Sequence, residues 1–244
     1  MSLRTVAIIQ ARMGSTRLPG KVLMDLSSEP MLARVVERTR RARTVDEVVV
    51  ATSILPADDR IARLCESRGW MCFRGSEPDV LDRYYQAALR FGAEVVVRVT
   101  SDCPLVDPEL IDQHVQTLLE HISETDFVTN MLQQSFPLGL AVEAMPIDVL
   151  ARMNRMSCTS QLREHVTTIA YERPEWFRIE HIRHAIDLSE MRWTVDTAED
   201  LEFVRRIFAH FGHDHFKWKE VLPVLDEHTE WSDINRAAVT RAAG

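Results

Sequence analysis

Residues Gln10 to Lys21 read QARMGSTRLPGK, and within that stretch Arg12, Arg17 and Lys21 stand beside Gly14, Gly20, Ser15 and Thr16. These residue types suit a polyphosphate. Guanidinium and ammonium groups match phosphate oxygens, the hydroxyls add donors, and glycine allows close backbone approach or positive φ. No carboxylate lies inside the stretch, so the three cations read as uncompensated. At ~4 Å and an effective dielectric of ~20, each would gain roughly 4 kcal/mol of gross attraction to a phosphate charge before desolvation. A basic, glycine-containing loop can also be merely solvated surface, and spacing alone leaves both readings open. The string matches neither G-x-x-x-x-G-K-[ST] nor G-x-G-x-x-G, so P-loop and dinucleotide-binding classes recede.

Two carboxylates could complete such a site. Val95–Thr100 is an apolar run followed by Ser101, Asp102, Cys103 and Pro104, which places Asp102 just past a strand that proline then ends. An aspartate there can simply cap a turn. Asp196 closes RWTVD in the same manner, before Thr197 and Asp200 open a helix with Glu199 also in its first turn. That arrangement leaves Asp196 free for a ligand. Hard cations such as Mg²⁺ take oxygen ligands and bridge protein to phosphate, which two such carboxylates opposite a basic loop would allow.

The elements needed to position these residues are legible as alternating patterns. Strands are expected at Thr5–Gln10, Glu47–Thr52, Met71–Arg74, Glu94–Thr100 and Asp126–Asn130. Helices are expected around Met31–Ala42, Asp58–Arg68, Val80–Phe91 and Pro108–Ile122. This alternation predicts an α/β chain with a mostly parallel (mixed) sheet covered on both faces, and ligands at the strands' C-terminal ends. Beyond Leu132 the pattern changes. A strand over Leu138–Met145, a helix over Ile147–Met156 and an amphipathic segment Gln161–Tyr171 read as an inserted lobe spanning 132–189 of a single domain 1–244. Arg192–Asp196 then reads as a return to the main sheet, followed by a helix through about His210 and another over Phe216–Asp226. Ser232–Gly244 is expected to fray.

Composition narrows the classes. With 244 residues, 45% of them hydrophobic, the chain can bury a sizeable core. A net charge of −8 argues against nonspecific nucleic-acid binding. No run approaches a membrane span and no signal-like segment opens the chain, so a soluble cytoplasmic protein is expected. Cys65, Cys72, Cys103 and Cys158 are dispersed without a C-x-x-C pair, as befits reduced thiols. His210, His213 and His215 fit a solvated helix end better than a metal site.

QARMGSTRLPGK resembles the N-terminal signature of the cytidylyltransferases that activate acidic sugars, the CMP-Kdo and acylneuraminate synthetases, with the spore coat polysaccharide branch nearest. TSDCPL and RWTVDTAEDL are similar to two further family elements, and residues 74–84, RGSEPDVLDRY, to a third. Arg163-Glu-His165-Val-Thr resembles a fourth. The resemblance implies a three-layer α/β/α nucleotidyltransferase-like (glycosyltransferase-A-like) architecture and a homodimer with contacts through the lobe. It implies Mg²⁺-dependent transfer of CMP from CTP to an acidic 2-keto sugar with release of pyrophosphate. It makes Arg12, Lys21, Asp102 and Asp196 catalytic, with Asp102 and Asp196 holding the metal. Nucleotide contacts fall to Gln10, Ala11, Arg12, Gly14, Ser15, Arg17, Lys21, Ser76, Asp79 and Arg83. Acceptor contacts fall to Glu143, Arg163 and His165. Ala141 departs from the pattern, where the family usually carries an aspartate on the same strand face as Glu143. A nucleotide-sugar-consuming glycosyltransferase and a non-catalytic nucleotide-binding homologue remain as alternatives.

Overall fold

The computed structural model describes residues 3–235. Seven strands form one mixed sheet: β1 (Thr5–Gln10), β2 (Glu47–Ser53), β3 (Met71–Gly75), β4 (Val95–Thr100), β5 (Phe127–Thr129), β6 (Glu143–Pro146) and β7 (Ile179–His181), in the order β3-β2-β1-β4-β6-β5-β7. The first four run parallel, β6 pairs antiparallel with β4 and β5, and β7 pairs parallel with β5.

Alternate residues of each central strand enter different cores, which is the period-2 signature of a sheet buried on both sides. Ala7, Ile9, Val95 and Val97 face one cluster with α1 (Met31–Thr39), α2 (Asp59–Arg68), α4 (Pro108–Glu120), α8 (Ala198–Phe211) and α9 (Trp218–Glu227). Val6, Ile8 and Val96 face the other with α3 (Val80–Arg90), α5 (Ile147–Met156) and α7 (Thr168–Glu172). The layers are α/β/α. The segment 132–189 is not detached from them: it supplies β6 and β7 to the main sheet and sends α5, α6 (Ser160–Glu164) and α7 over one face. Among the described residues no helix is long and apolar enough to cross a membrane.

Four expectations need correction. The strand expected over Leu138–Met145 begins only at Glu143, because Gly139 sits at φ +117° and breaks the extended path, which leaves Ala141 in the approach to β6. Arg192–Asp196 is not a sheet strand. It makes a single bridge from Arg192 to Leu138, and its backbone is pinned instead to Leu138 and Asp102. Gln161–Tyr171 is two short helices split at Val166, which adopts φ +49°. Residues 229–234 form α10 (Thr229–Ile234), so Ser232 to Ile234 are helical, and 236–244 lie outside the described residues.

Candidate active site

β1 and β4 are neighbours with Gln10 opposite Thr100, so the basic loop and Asp102 leave the same edge of the sheet. Across that edge runs 193–196. The Val195 N–H donates to the Asp102 carbonyl at 2.8 Å and the Thr194 hydroxyl to the same oxygen at 3.2 Å. Chain connectivity therefore brings together three segments far apart in sequence.

Lys21 is their centre. Its ammonium donates to Asp102 Oδ2 at 3.0 Å, Asp196 Oδ1 at 2.9 Å and the Val195 carbonyl at 2.8 Å, which uses all three of its hydrogens. Burial alone would lower its pKa, but the two carboxylates outweigh that and raise it. For Asp196, burial would raise the pKa, and Lys21, Arg192 and Arg17 bring it below the usual carboxylate value. Gly20, at φ +73°, supplies the left-handed turn that delivers Lys21, and the loop is fixed from below by Asp58, whose buried carboxylate accepts the Met13 N–H at 2.7 Å and the Ser53 hydroxyl.

Asp196 is oriented from behind. Thr197 and Asp200 form a capping box at the start of α8, and Asp200, wholly buried, also accepts the Asp196 N–H at 3.0 Å and both Nε and Nη2 of Arg192. Arg192 Nη2 then reaches Asp196 Oδ2 at 2.8 Å. The carboxylate is thus locked at both ends, which overturns the expectation that it stands free.

The expectation of uncompensated cations falls as well. Arg12 pairs with Glu77 at 2.8 Å and Glu164 at 3.3 Å, Arg17 with Asp196 at 3.1 Å, and Lys21 as above. Their partners lie outside the twelve-residue stretch and could not be read within it. Half-exposed Arg12 and exposed Arg17 can exchange these carboxylates for a ligand's phosphates at little loss, since such ion pairs contribute about 0–1 kcal/mol each.

A cleft of about 440 Å³ opens here, within the range of small-molecule sites. Of the expected site residues, Gln10, Ala11, Arg12, Ser15, Arg17, Lys21, Arg83, Asp102, Glu143, His165 and Asp196 line it, and Gly14, Ser76, Asp79 and Arg163 do not. Gly14 has neither positive φ nor a close neighbour, so its small size answers no steric need. Asp79 caps α3 by accepting the Asp82 N–H, and Ser76 accepts the Asp79 N–H. Arg163 is a brace: Nε donates to Asp79 at 2.6 Å, and its other nitrogens hold Asn154 and the Ser157 carbonyl. Residues not singled out in the sequence include Asp58, Arg98, Tyr171 and Arg192. Arg98 offered a signal, as the lone charge in VVVRV.

The mixed sheet with helices on both faces, and the cations and acids converging at the C-terminal ends of its parallel strands, define a nucleotidyltransferase. The cytidylyltransferase family model matches residues 6–219, and this chain belongs to that family. It is similar to a solved cytidylyltransferase from Leptospira borgpetersenii serovar Hardjo-bovis, 30% identical with a TM-score of 0.91 over 94% of this chain and 96% of that one. It is 35% identical to the Bacillus subtilis spore coat polysaccharide biosynthesis protein SpsF over 84% of this chain and 86% of that protein. It is 45% identical to a 3-deoxy-manno-octulosonate cytidylyltransferase from Geobacter sulfurreducens over 49% of this chain and 47% of that enzyme.

Proposed function

We propose that this protein transfers CMP from CTP to the hydroxyl of an acidic 2-keto sugar and releases pyrophosphate. The observation that carries the reading is the convergence of Lys21, Asp102 and Asp196, with Arg12 and Arg17 on the same cleft. The acceptor's anomeric oxygen would bond to the α-phosphorus as the bond from that phosphorus to the β-bridging oxygen breaks, and the hydroxyl proton leaves to solvent. Arg12, Arg17 and Lys21 would turn from their present carboxylates to the pyrophosphate oxygens, where negative charge accumulates.

The donor set fits Mg²⁺. Asp102 and Asp196 already share one cation, their oxygens are hard ligands, and the soft donor beside them, Cys103, is held as a neutral thiol because burial pushes its pKa up to about 12. An ion held by Asp102 and Asp196 would supply polarisation of the α-phosphate and a lower pKa for the attacking hydroxyl. The proposal includes a homodimer built through 132–189, where half-exposed Trp176 is an apolar side chain such an interface would cover.

The test is pyrophosphate release from CTP with 2-keto sugar acids in Mg²⁺ and in chelator. Release that needs both acid and metal supports the reading. Tight CTP binding with no release would favour the non-catalytic alternative.

A further inference from the structure

Arg98 interrupts the apolar run of β4 and reaches the wall of the cleft, yet neither the polyphosphate loop nor the carboxylate pair uses it. Its Nη1 donates to Glu143. Glu143 accepts a second hydrogen bond from the Tyr171 hydroxyl, and that phenol oxygen also meets Thr129 Oγ1 at 3.1 Å. Glu143 is almost wholly enclosed, with a side chain 1% exposed against 15% for Arg98, so the guanidinium is the less enclosed member of the pair. Burial would lower the arginine's pKa, but Glu143 and the neighbouring tyrosines raise it, and the group stays charged.

The remaining donors of Arg98 are under-used. Nη2 reaches only Gln10 Oε1 at 3.5 Å, the outer limit of a hydrogen bond, and Nε is buried with no partner among the described residues. Nε and Nη2 together form the side-on edge of a guanidinium, two parallel N–H groups spaced for the two oxygens of a carboxylate. Glu143 occupies the opposite corner and fixes the plane. The other cations sit differently: Arg12, Arg17 and Lys21 cluster with the loop and the acid pair, Arg83 donates Nη1 to the Ser76 and Glu77 carbonyls just ahead of α3, and Arg163 braces helices outside the cleft.

We propose that the side-on edge of Arg98, oriented by Glu143 and Tyr171, receives the carboxylate of the acceptor sugar and thereby selects acids over neutral analogues. The assignment rests on the cytidylyl-transfer reading and places the acceptor against β4 and β6. Glu143 and Tyr171 are then positioning residues that act through Arg98. The Tyr171 hydrogen bond disperses the Glu143 charge, which lets one guanidinium serve two carboxylates. The loose Gln10 contact is the one displaced on binding.

The experiment measures KM for 3-deoxy-manno-octulosonate and N-acetylneuraminate against their C1 amides, with CTP affinity followed by calorimetry. Wild-type protein is expected to favour at least one acid over its amide by tenfold or more. Arg98→Lys keeps the charge but loses the bidentate edge, and it should bring the ratio to within about twofold while CTP affinity holds. Tyr171→Phe, which removes only a hydroxyl, should raise the acid KM severalfold and leave the amide KM unchanged. The proposal is overturned if wild-type protein binds acid and amide alike or binds neither acid, or if Arg98→Lys keeps the preference. A Tyr171→Phe effect equal on acid and amide would also overturn it. Loss of CTP binding by wild-type protein would instead overturn the cytidylyl-transfer reading itself.

Discussion

Gly139 lies against Thr194 so closely that a Cβ on the glycine would stand 2.5 Å from the Thr194 backbone nitrogen. The contact joins the approach to β6, which lines the cleft, to the segment that carries Asp196. Neither partner can yield easily, because Trp193 N–H is bonded to the Leu138 carbonyl and Val195 N–H to that of Asp102.

Gly139→Ala should therefore lower stability by about 2–3 kcal/mol, from the clash together with φ +117°. It should also reduce kcat more than it weakens CTP binding, because Asp196 is displaced with Thr194. Denaturant unfolding and steady-state kinetics measure the two effects. A variant with normal kcat would show that the two loops move independently.

Lys21→Met leaves Asp102 and Asp196 facing one another without their shared ammonium. Fully buried pairs lose ~3–5 kcal/mol when broken. Here Asp102 and Asp196 keep 30% and 17% of their side chains exposed, so about 2 kcal/mol is expected. Turnover should drop about two orders of magnitude. Combining Lys21→Met with Asp102→Asn removes one of the opposed charges and should restore most of the stability but none of the turnover. Recovery of both in the double variant would assign Lys21 a purely structural role. Mn²⁺ titration of the single variant without nucleotide should show tighter metal binding than wild type, since no ammonium competes for the two carboxylates.

The sequence made the main frame readable because local pattern and global fold agree there. The β1, β2 and β4 runs are apolar at their central positions apart from Arg98, as strands buried on both faces must largely be, and Thr197 with Asp200 forms the capping box that their spacing predicts. Asp102 is identifiable as a strand-end carboxylate on the same grounds, whereas Asp196 is located by the capping box that follows it and not by a strand. What pairs with them is not legible. Arg192 lies four residues before Asp196 and reads as an ordinary strand residue until Asp200 is folded beneath it, and Glu77 and Glu164 meet Arg12 only through α3 and α6. RWTVD was misread because its alternation fits a strand, while its actual partners are backbone groups of two loops. Arg163 was misread because family likeness gives a residue's position in a motif but not where its guanidinium points.

Asp58 ties the basic loop to the end of β2. Its two oxygens accept from a backbone N–H and a hydroxyl, so Asp58→Asn turns one acceptor into a donor that faces a donor. The change should cost about 1–2 kcal/mol of stability and raise the KM for CTP roughly tenfold, with kcat altered less than threefold. Ser53→Ala, which keeps the Met13 contact, should leave the KM for CTP within about twofold of wild type. Equal effects from both would place the loop's anchor elsewhere.

His114 sets the response to acid. It is fully buried on α4, its Nδ1 lies 2.6 Å from the Leu110 carbonyl, and its Nε2 has no partner among the described residues, so the neutral ring with the proton on Nδ1 is the form that fits. Burial lowers its pKa from 6.5 to about 4. Between those values the unfolded chain binds a proton that the folded protein refuses, so stability rises with pH across the window. It is complete above about 6.5 and is lost as pH falls toward 4. The interval corresponds to about 3 kcal/mol. Few other shifted groups interfere. Asp126, held by Arg178 and Arg152 against the effect of burial, titrates near 2, and the lowered carboxyls of Asp196 and Asp214 lose their contribution only as pH falls below 3.8. His121, raised by its hydrogen bond to Glu180, acts with the opposite sign: its contribution is intact below 6.5 and fades as pH climbs. Urea unfolding at pH 7.5, 6, 5 and 4.5 should trace the loss, and His114→Leu should flatten the curve over that range. Parallel curves for the two proteins would mean that some other group takes up the proton.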